Sequence, residues 1–289
     1  MQDRQRILVI TDLGPAGDEA VRIGSQRAAR PGAELAVVYP SPSLERARPV
    51  ASASLADGAL REALAPARLR EALARRVARY RSPDGTELFV EEGEPTEVAL
   101  ATAARWGATL LVTGAGEDAA VDAKRLIRHG STPVLVARSG PTRGPVVACT
   151  DFSDPSLPAV RAAADEARRT CEPLHVIHAL APLPVTMIGI EGRGVVSVAE
   201  WRRSFRAEAE SRLAQVLSAV DTAGDYVAVD GPVVPSLAAT ARALGASLLV
   251  LGSVGRGGAN RFMLGTVAES LLGAASCPTL VVPAGVASA

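Results

Sequence analysis

Aromatic side chains are scarce in this chain: four Phe, three Tyr and two Trp make up 3% of 289 residues. The core therefore has to be built from Val, Leu, Ile and Ala. Cysteine is equally sparse, with Cys149, Cys171 and Cys277 all in the second half. An odd, small set argues against a disulfide framework and for a reducing compartment. Neither sign of charge is in excess, with 31 basic and 31 acidic residues. That balance argues against a nucleic-acid binder working by bulk positive charge. No apolar run approaches the roughly 20 residues needed to span a bilayer. The opening "MQDRQRILVIT" reaches four apolar residues and then Asp12, which is not a secretory signal pattern. The expectation is a cytoplasmic protein with no membrane and no nucleic-acid partner.

Several chemical signatures are missing too. No Cys/His spacing of a zinc site occurs, and there is no Gly-x-Ser-x-Gly elbow. His175 and His178 lie three apart on an expected strand, so they point to opposite faces and do not share a metal. His129, before Gly130, reads as the end of a helix. Cys149 and Cys277 read as small buried hydrophobes rather than nucleophiles. Neither a catalytic nor a metal-ligating set is expected.

What the sequence does contain is itself, twice. "ILVITDLG" from Ile7 matches "VVACTDFS" from Val146, with Asp12 and Asp151 139 positions apart. "GATLLVTG" from Gly107 matches "GASLLVLG" from Gly245, and Gly93 matches Gly231, each pair 138 apart. The closing runs from Pro133 and Pro278 are 145 apart. Register therefore holds until just after Gly114 and Gly252, where the second half carries about seven extra residues. So long a period marks a duplicated domain rather than a solenoid. The boundary falls in the turn-rich "RSGPTRGP", Arg138 to Pro145, giving domains 1–140 and 144–289.

Each half alternates short Val/Leu-rich runs with longer helical patterns. In the second half the runs sit near 145–150, 174–179, 225–229, 247–251 and 279–282. Helix-compatible segments lie between them at Pro155–Thr170, Ser197–Val220, Val233–Leu244 and Thr266–Ala275. Continuous apolar runs of this length suit strands buried on both faces. The reading is α/β: two open five-stranded parallel sheets, each with helices on both faces. Such sheets bind ligands beyond the carboxyl ends of their strands, where the strand order reverses.

The divergence between the halves is a loop. "GSVGRGGANRFMLGT" runs from Gly252 to Thr266, between an expected strand and an expected helix. Glycines let the backbone approach an anion with no Cβ in the way. Successive free N–H groups and a helix N-terminus attract negative charge. The Thr266 hydroxyl can donate to a phosphate oxygen, and Arg256 and Arg261 can neutralise charge. No Lys-Ser/Thr pair follows the glycines as in a Walker A sequence, and Asn260 breaks the dinucleotide fingerprint. "TVAE", Thr266 to Glu269, also reads as a capping box, so Thr266 either caps its helix, binds phosphate, or does both.

Gly-x2-Gly-x9-Gly-Thr after the fourth strand, an Asp after the first, and "CPTLVVP" at the close resemble the universal stress protein family. The resemblance covers both halves, as in a tandem member. It implies a sheet order of 3-2-1-4-5 and ATP as ligand, with or without Mg²⁺ or Mn²⁺. By that resemblance Gly252, Gly255, Gly265 and Thr266 would hold phosphates and ribose, with Arg256 nearby and Val267 following through its backbone. Thr150 and Asp151 would sit beside the nucleotide, Leu251 would line the pocket, and the Ala179 main chain would lie near the adenine.

The first half departs from this pattern. Its loop is short, and Glu117, Asp118 and Asp122 set carboxylates where phosphates would sit. It is expected to bind no ATP, with Asp12 capping a turn or a helix. Asp151 has the same alternative reading, as an Asx turn or an N-cap. The implied function is an ATP-binding stress or energy-state regulator, its halves paired as an internal pseudo-dimer and open to homodimerisation. The rivals are a slow ATP hydrolase or nucleotide transferase, and a nucleotide-free interaction module. The nine arginines of Glu45–Arg81 read as a solvated helix face. The segment Pro184–Trp201 reads equally as a lid, a contact surface or a plain connection.

Overall fold

The computed structural model describes residues 5–43, 62–116, 119, 121–180, 198–255 and 264–285. The chain divides into two compact units, Met1–Ser139 and Gly140–Ser288. In the first unit the elements run β1 (Arg6–Ile10), α1 (Pro15–Ala28), β2 (Glu34–Ser41), α2 (Pro66–Val77), β3 (Thr86–Glu92), α3 (Pro95–Trp106), β4 (Leu110–Gly114), α4 (Ala123–His129) and β5 (Val134–Ala137). In the second they run β6 (Val146–Cys149), a 3₁₀ turn (Asp154–Ser156), α5 (Leu157–Thr170), β7 (Leu174–Leu180), α6 (Val198–Ala219), β8 (Asp225–Asp230), α7 (Val233–Ala243), β9 (Leu248–Gly252), α8 (Thr266–Ala274) and β10 (Thr279–Val282).

Strands pair in the order β3-β2-β1-β4-β5 in the first unit and β8-β7-β6-β9-β10 in the second. The pairings are parallel, with Ile10 opposite Val38 and Cys149 opposite Ile177. Both units are thus doubly wound 3-2-1-4-5 sheets, the α/β architecture expected. The central strands are buried along nearly their whole length, as β6 and β9 show. They can be, because helices cover both faces. In the second unit α5 packs on β6, β9 and β10, and α6 on β7 and β8, while α7 lies on β7 and β8 and contacts α8.

The helices start and stop where local chemistry dictates. Proline occupies the first turn of α1, α2, α3 and α5, where its missing N–H costs nothing. Glu94 caps α3, its side chain accepting from Glu97 N at 2.9 Å. That carboxyl is pushed up by partial burial, but the Glu97 N–H and the Arg125 guanidinium outweigh this and hold it below its usual range. Gly107 ends α3 at φ 71°, a left-handed conformation glycine adopts without cost. Arg75 of α2 pairs with Glu71 one turn away, while Arg76 and, just past the helix, Arg79 reach Asp18 of α1. Arg75 and Glu71 lie on an exposed face, as expected, whereas Arg76 and Asp18 are largely buried against each other; residues 45–61 of the basic stretch lie outside the described residues.

Candidate functional site

Beyond the carboxyl ends of β6, β7 and β9 lies a cleft of about 790 Å³ within the second unit. It sits at the switch point, where β6 has β7 on one side and β9 on the other. Its size is that of a small-molecule site. Of the residues singled out from sequence, Thr150, Asp151, Ala179, Leu251, Gly252, Gly255, Gly265, Thr266 and Val267 all line it. Arg256 and Arg261 lie outside the described residues, as do Glu117, Asp118 and residues 184–197.

The turn after β6 sets the geometry. Phe152 takes the left-handed conformation at φ 63°, and its N–H donates to Thr150 Oγ1 at 3.1 Å. Asp151 Oδ1 accepts from the Ser153 N–H at 3.0 Å and from the Ser153 hydroxyl at 2.5 Å. The Asx-turn reading of Asp151 is therefore correct, and it coexists with a place in the cleft wall. Thr150 Oγ1 also shares a hydrogen bond with Ser156 Oγ at 2.9 Å. The first unit repeats the turn. Leu13 is at φ 63°, its N–H bonds Thr11 Oγ1 at 3.1 Å, and Asp12 Oδ1 accepts from Gly14 N at 2.8 Å. A non-glycine residue in this conformation costs about 1–3 kcal/mol, so each half stores the same small strain at the same place.

The glycines separate into two kinds. A Cβ at Gly252 would meet Pro155 O at 3.3 Å, and one at Gly114 would meet Ala16 O at 2.4 Å. These glycines let the fourth strand of each unit pass the start of its first helix, which explains Gly114 in a half with a short loop. Gly255 abuts Asp151, since its Cβ would stand 2.4 Å from Oδ2. Gly265 is different. It has φ −63°, and a Cβ there would have only ordinary contacts, the nearest at 3.5 Å. Among the described residues nothing requires glycine at that position.

The helix start corrects one expectation. Gly265, not Thr266, is the N-cap of α8, and it brings no side-chain hydrogen bond. Its N–H is held by Ser253 O at 2.7 Å, which keeps this residue extended and makes Thr266 the first helical residue. Thr266 is exposed and Val267 is 40% exposed. In the first unit, Asp122 caps α4 and accepts from Lys124 N at 2.9 Å. One domain thus fills its helix N-terminus with its own carboxylate, and the other leaves the cap to glycine.

The rest of the wall was not legible as a site. His178 faces the cleft, its Nδ1 2.7 Å from Thr150 O, its ring centroid 4.1 Å from that of Phe152. From α6 come Phe205, Glu208, Ala209 and Arg212, with Arg212 bonded to Glu208 at 2.7 Å and lying 5.9 Å over the Phe152 ring. From α7 come Val233 and Leu237. Only strand parity hinted at His178; α6 gave no signal, because nothing local tells which of its turns rises over the strand ends. Cys149, at the cleft floor, is buried and its thiol is pushed up to about 12 by that burial, with Cys277 adding to it. It is an inert thiol, as expected. Among the described residues no three His, Cys, Asp or Glu gather as a metal site would need, and no helix is long and apolar enough to cross a membrane.

A duplicated doubly wound α/β protein with a small-molecule cleft at one switch point is the class that fold and site define. The sequence model of the universal stress protein family matches residues 3–138 and 142–283, and the chain belongs to that family, as a tandem member. Universal stress proteins of Mycobacterium bovis and Mycobacterium tuberculosis are 31% identical to it over 166 residues, covering 54% of this chain and 53% of theirs. The match spans about half the length of those relatives. A solved universal stress protein from Archaeoglobus fulgidus superimposes with a TM-score of 0.63 at 16% identity, covering 98% of this chain and 97% of that one. A functionally unknown Pseudomonas aeruginosa protein gives 0.62 at 17% identity, covering 98% and 94%. At such identities these two structures speak for the fold.

Proposed function

We propose that the C-terminal domain binds ATP in this cleft and that the protein acts as a nucleotide-dependent regulator in stress or energy limitation. The observation that carries this reading is the start of α8 at Gly265, without a side-chain cap among the described residues and opening on a cleft of about 790 Å³. A helix N-terminus offers N–H donors and positive potential, and a glycine cap lets phosphate oxygens come within reach. Gly255, Thr266 and the Val267 backbone complete that end. At the other end, Ala179, Leu237 and Leu251 make an apolar slot suited to a base. Asp151 lies between. An ionised carboxylate only accepts hydrogen bonds, so it suits ribose hydroxyls and not phosphate.

Mg²⁺ or Mn²⁺ would arrive on the nucleotide's own phosphates. Binding without turnover is the reading favoured here. The second half of the chain contains no lysine to serve a phosphate-loop role, and Asp151 Oδ1 is engaged by Ser153. The N-terminal domain, with Asp122 across its helix start, is assigned no nucleotide. The test is direct. The purified full-length protein is denatured and its supernatant separated by chromatography, and ATP is titrated into nucleotide-free protein by calorimetry. One ATP per chain is expected, without ADP release. Absence of both bound nucleotide and measurable ATP binding defeats the proposal, and steady ADP release turns it into an ATPase.

A further inference from the structure

We propose that His178 is a positioning residue that sets the cleft's preference for ribose hydroxyls by clamping the turn that carries Asp151. This rests on the reading of Asp151 as the ribose acceptor. Asp151 follows β6 directly, and the bonds it accepts from Ser153 N and Oγ lie inside the turn. The turn is strained at Phe152. Strain of this kind persists only where the surroundings hold it, and His178 on the neighbouring strand makes two separate contacts that do so.

The first is a hydrogen bond. Thr150 O is a carbonyl and only accepts, so His178 Nδ1 must carry the proton and donate across 2.7 Å. The second is the ring contact with Phe152, centroids 4.1 Å apart and planes tilted by 36°. One contact grips the residue before Asp151 and the other grips the residue after it. The strand register makes this possible: Thr150 N donates to Ile177 O, so the next residue of β7 is level with the turn.

The first domain shows the alternative. Thr11 N donates to Val38 O in the same register, and Tyr39 stands where His178 does. Leu13 stands where Phe152 does, so the ring pair is gone. The Tyr39 phenol is pushed up by burial and then by the nearby Asp12 charge. The side chain that flanks the aspartate is thus one point at which the two turns differ, and the aromatic–imidazole clamp belongs to the C-terminal domain.

The test compares ATP with 2′,3′-dideoxy-ATP in calorimetry on the full-length protein. Wild type should prefer ATP by about tenfold or more, the effect of a hydrogen bond to a charged group. Asp151→Ala should abolish that preference. His178→Phe keeps a ring but loses the donor, and should lower the preference at least about threefold. His178→Asn keeps a donor at the Nδ1 position and should restore most of it. A His178→Phe protein with undiminished preference overturns the inference.

A ligand-free readout separates this from failure of the nucleotide reading. Hydrogen exchange at the Phe152 and Ser153 amides should quicken at least about tenfold in His178→Phe, with the melting temperature of the protein checked alongside. Unchanged exchange overturns the clamp even if ATP binds. Quickened exchange in a protein that binds no ATP keeps the clamp and removes only its proposed ligand.

Discussion

Gly255 stands against Asp151 so closely that a Cβ on the glycine would lie 2.4 Å from the carboxylate Oδ2. The loop after β9 and the turn after β6 therefore meet through a glycine and an acceptor. Gly255→Ala should push the Asp151 side chain off its place without disturbing the sheet. The expected result is ATP affinity lowered about tenfold, with a stability loss near ~1 kcal/mol. Calorimetry and urea denaturation on the same preparation check both halves of the statement. Unaltered affinity would show that Asp151 does not touch the ligand.

Gly114 and Gly252 occupy equivalent places but different amounts of space. At Gly114 the added Cβ would lie 2.4 Å from Ala16 O, a backbone atom, whereas at Gly252 the nearest atom is Pro155 O at 3.3 Å. Gly114→Ala should cost about 2–3 kcal/mol and Gly252→Ala about 1 kcal/mol or less. Denaturant midpoints of the two variants test the order. The glycine of the N-terminal domain is expected to be the less replaceable one.

The three thiols should behave unequally. Cys171 is exposed, while Cys149 and Cys277 are buried. Ellman's reagent should count one thiol in the native protein at about pH 8 and three after denaturation. Raising the pH to about 10 should leave the native count at one, because burial holds Cys149 near 12. The folded thiol keeps its proton above the ordinary 9.0 and the unfolded one does not. The stabilisation is complete below about pH 9 and is lost as pH rises from about 9 toward 12.

The fold was legible because buried parallel strands write themselves as short apolar runs, and because the duplication allowed each half to check the other. The four helices of the second half were placed to within a few residues; the helix expected from Pro155 begins instead as a 3₁₀ turn at Asp154–Ser156. The cleft was legible only where it is made of chain-local signals: an aspartate after a strand, glycines before a helix. His178, Phe205, Glu208, Arg212 and Leu237 come from elements far apart in sequence, and their convergence is a property of packing. The capping box misled for a physical reason. Thr266 has the right neighbours for a cap, but the bond from Gly265 N to Ser253 O fixes where the extended chain ends and the helix begins.

The contrast between Asp122 and Gly265 supplies the sharpest prediction. Gly265→Asp would place in the second domain the cap that the first domain already has. The backbone at Gly265, φ −63° and ψ 144°, accepts any residue, and among the described residues the space around a Cβ is adequate. The new carboxylate would accept from the Val267 N–H, as Asp122 does from Lys124. Stability should hold or rise by about 0.5–1 kcal/mol. ATP affinity should fall at least about a hundredfold, because a fixed negative charge then faces the phosphates across a few ångströms. The reciprocal Asp122→Ala should lose about 1 kcal/mol of stability and leave ATP binding unchanged. A loss of affinity in Gly265→Asp accompanied by destabilisation would point to misfolding rather than repulsion. A stable Gly265→Asp protein that still binds ATP as wild type does would remove the phosphates from the start of α8.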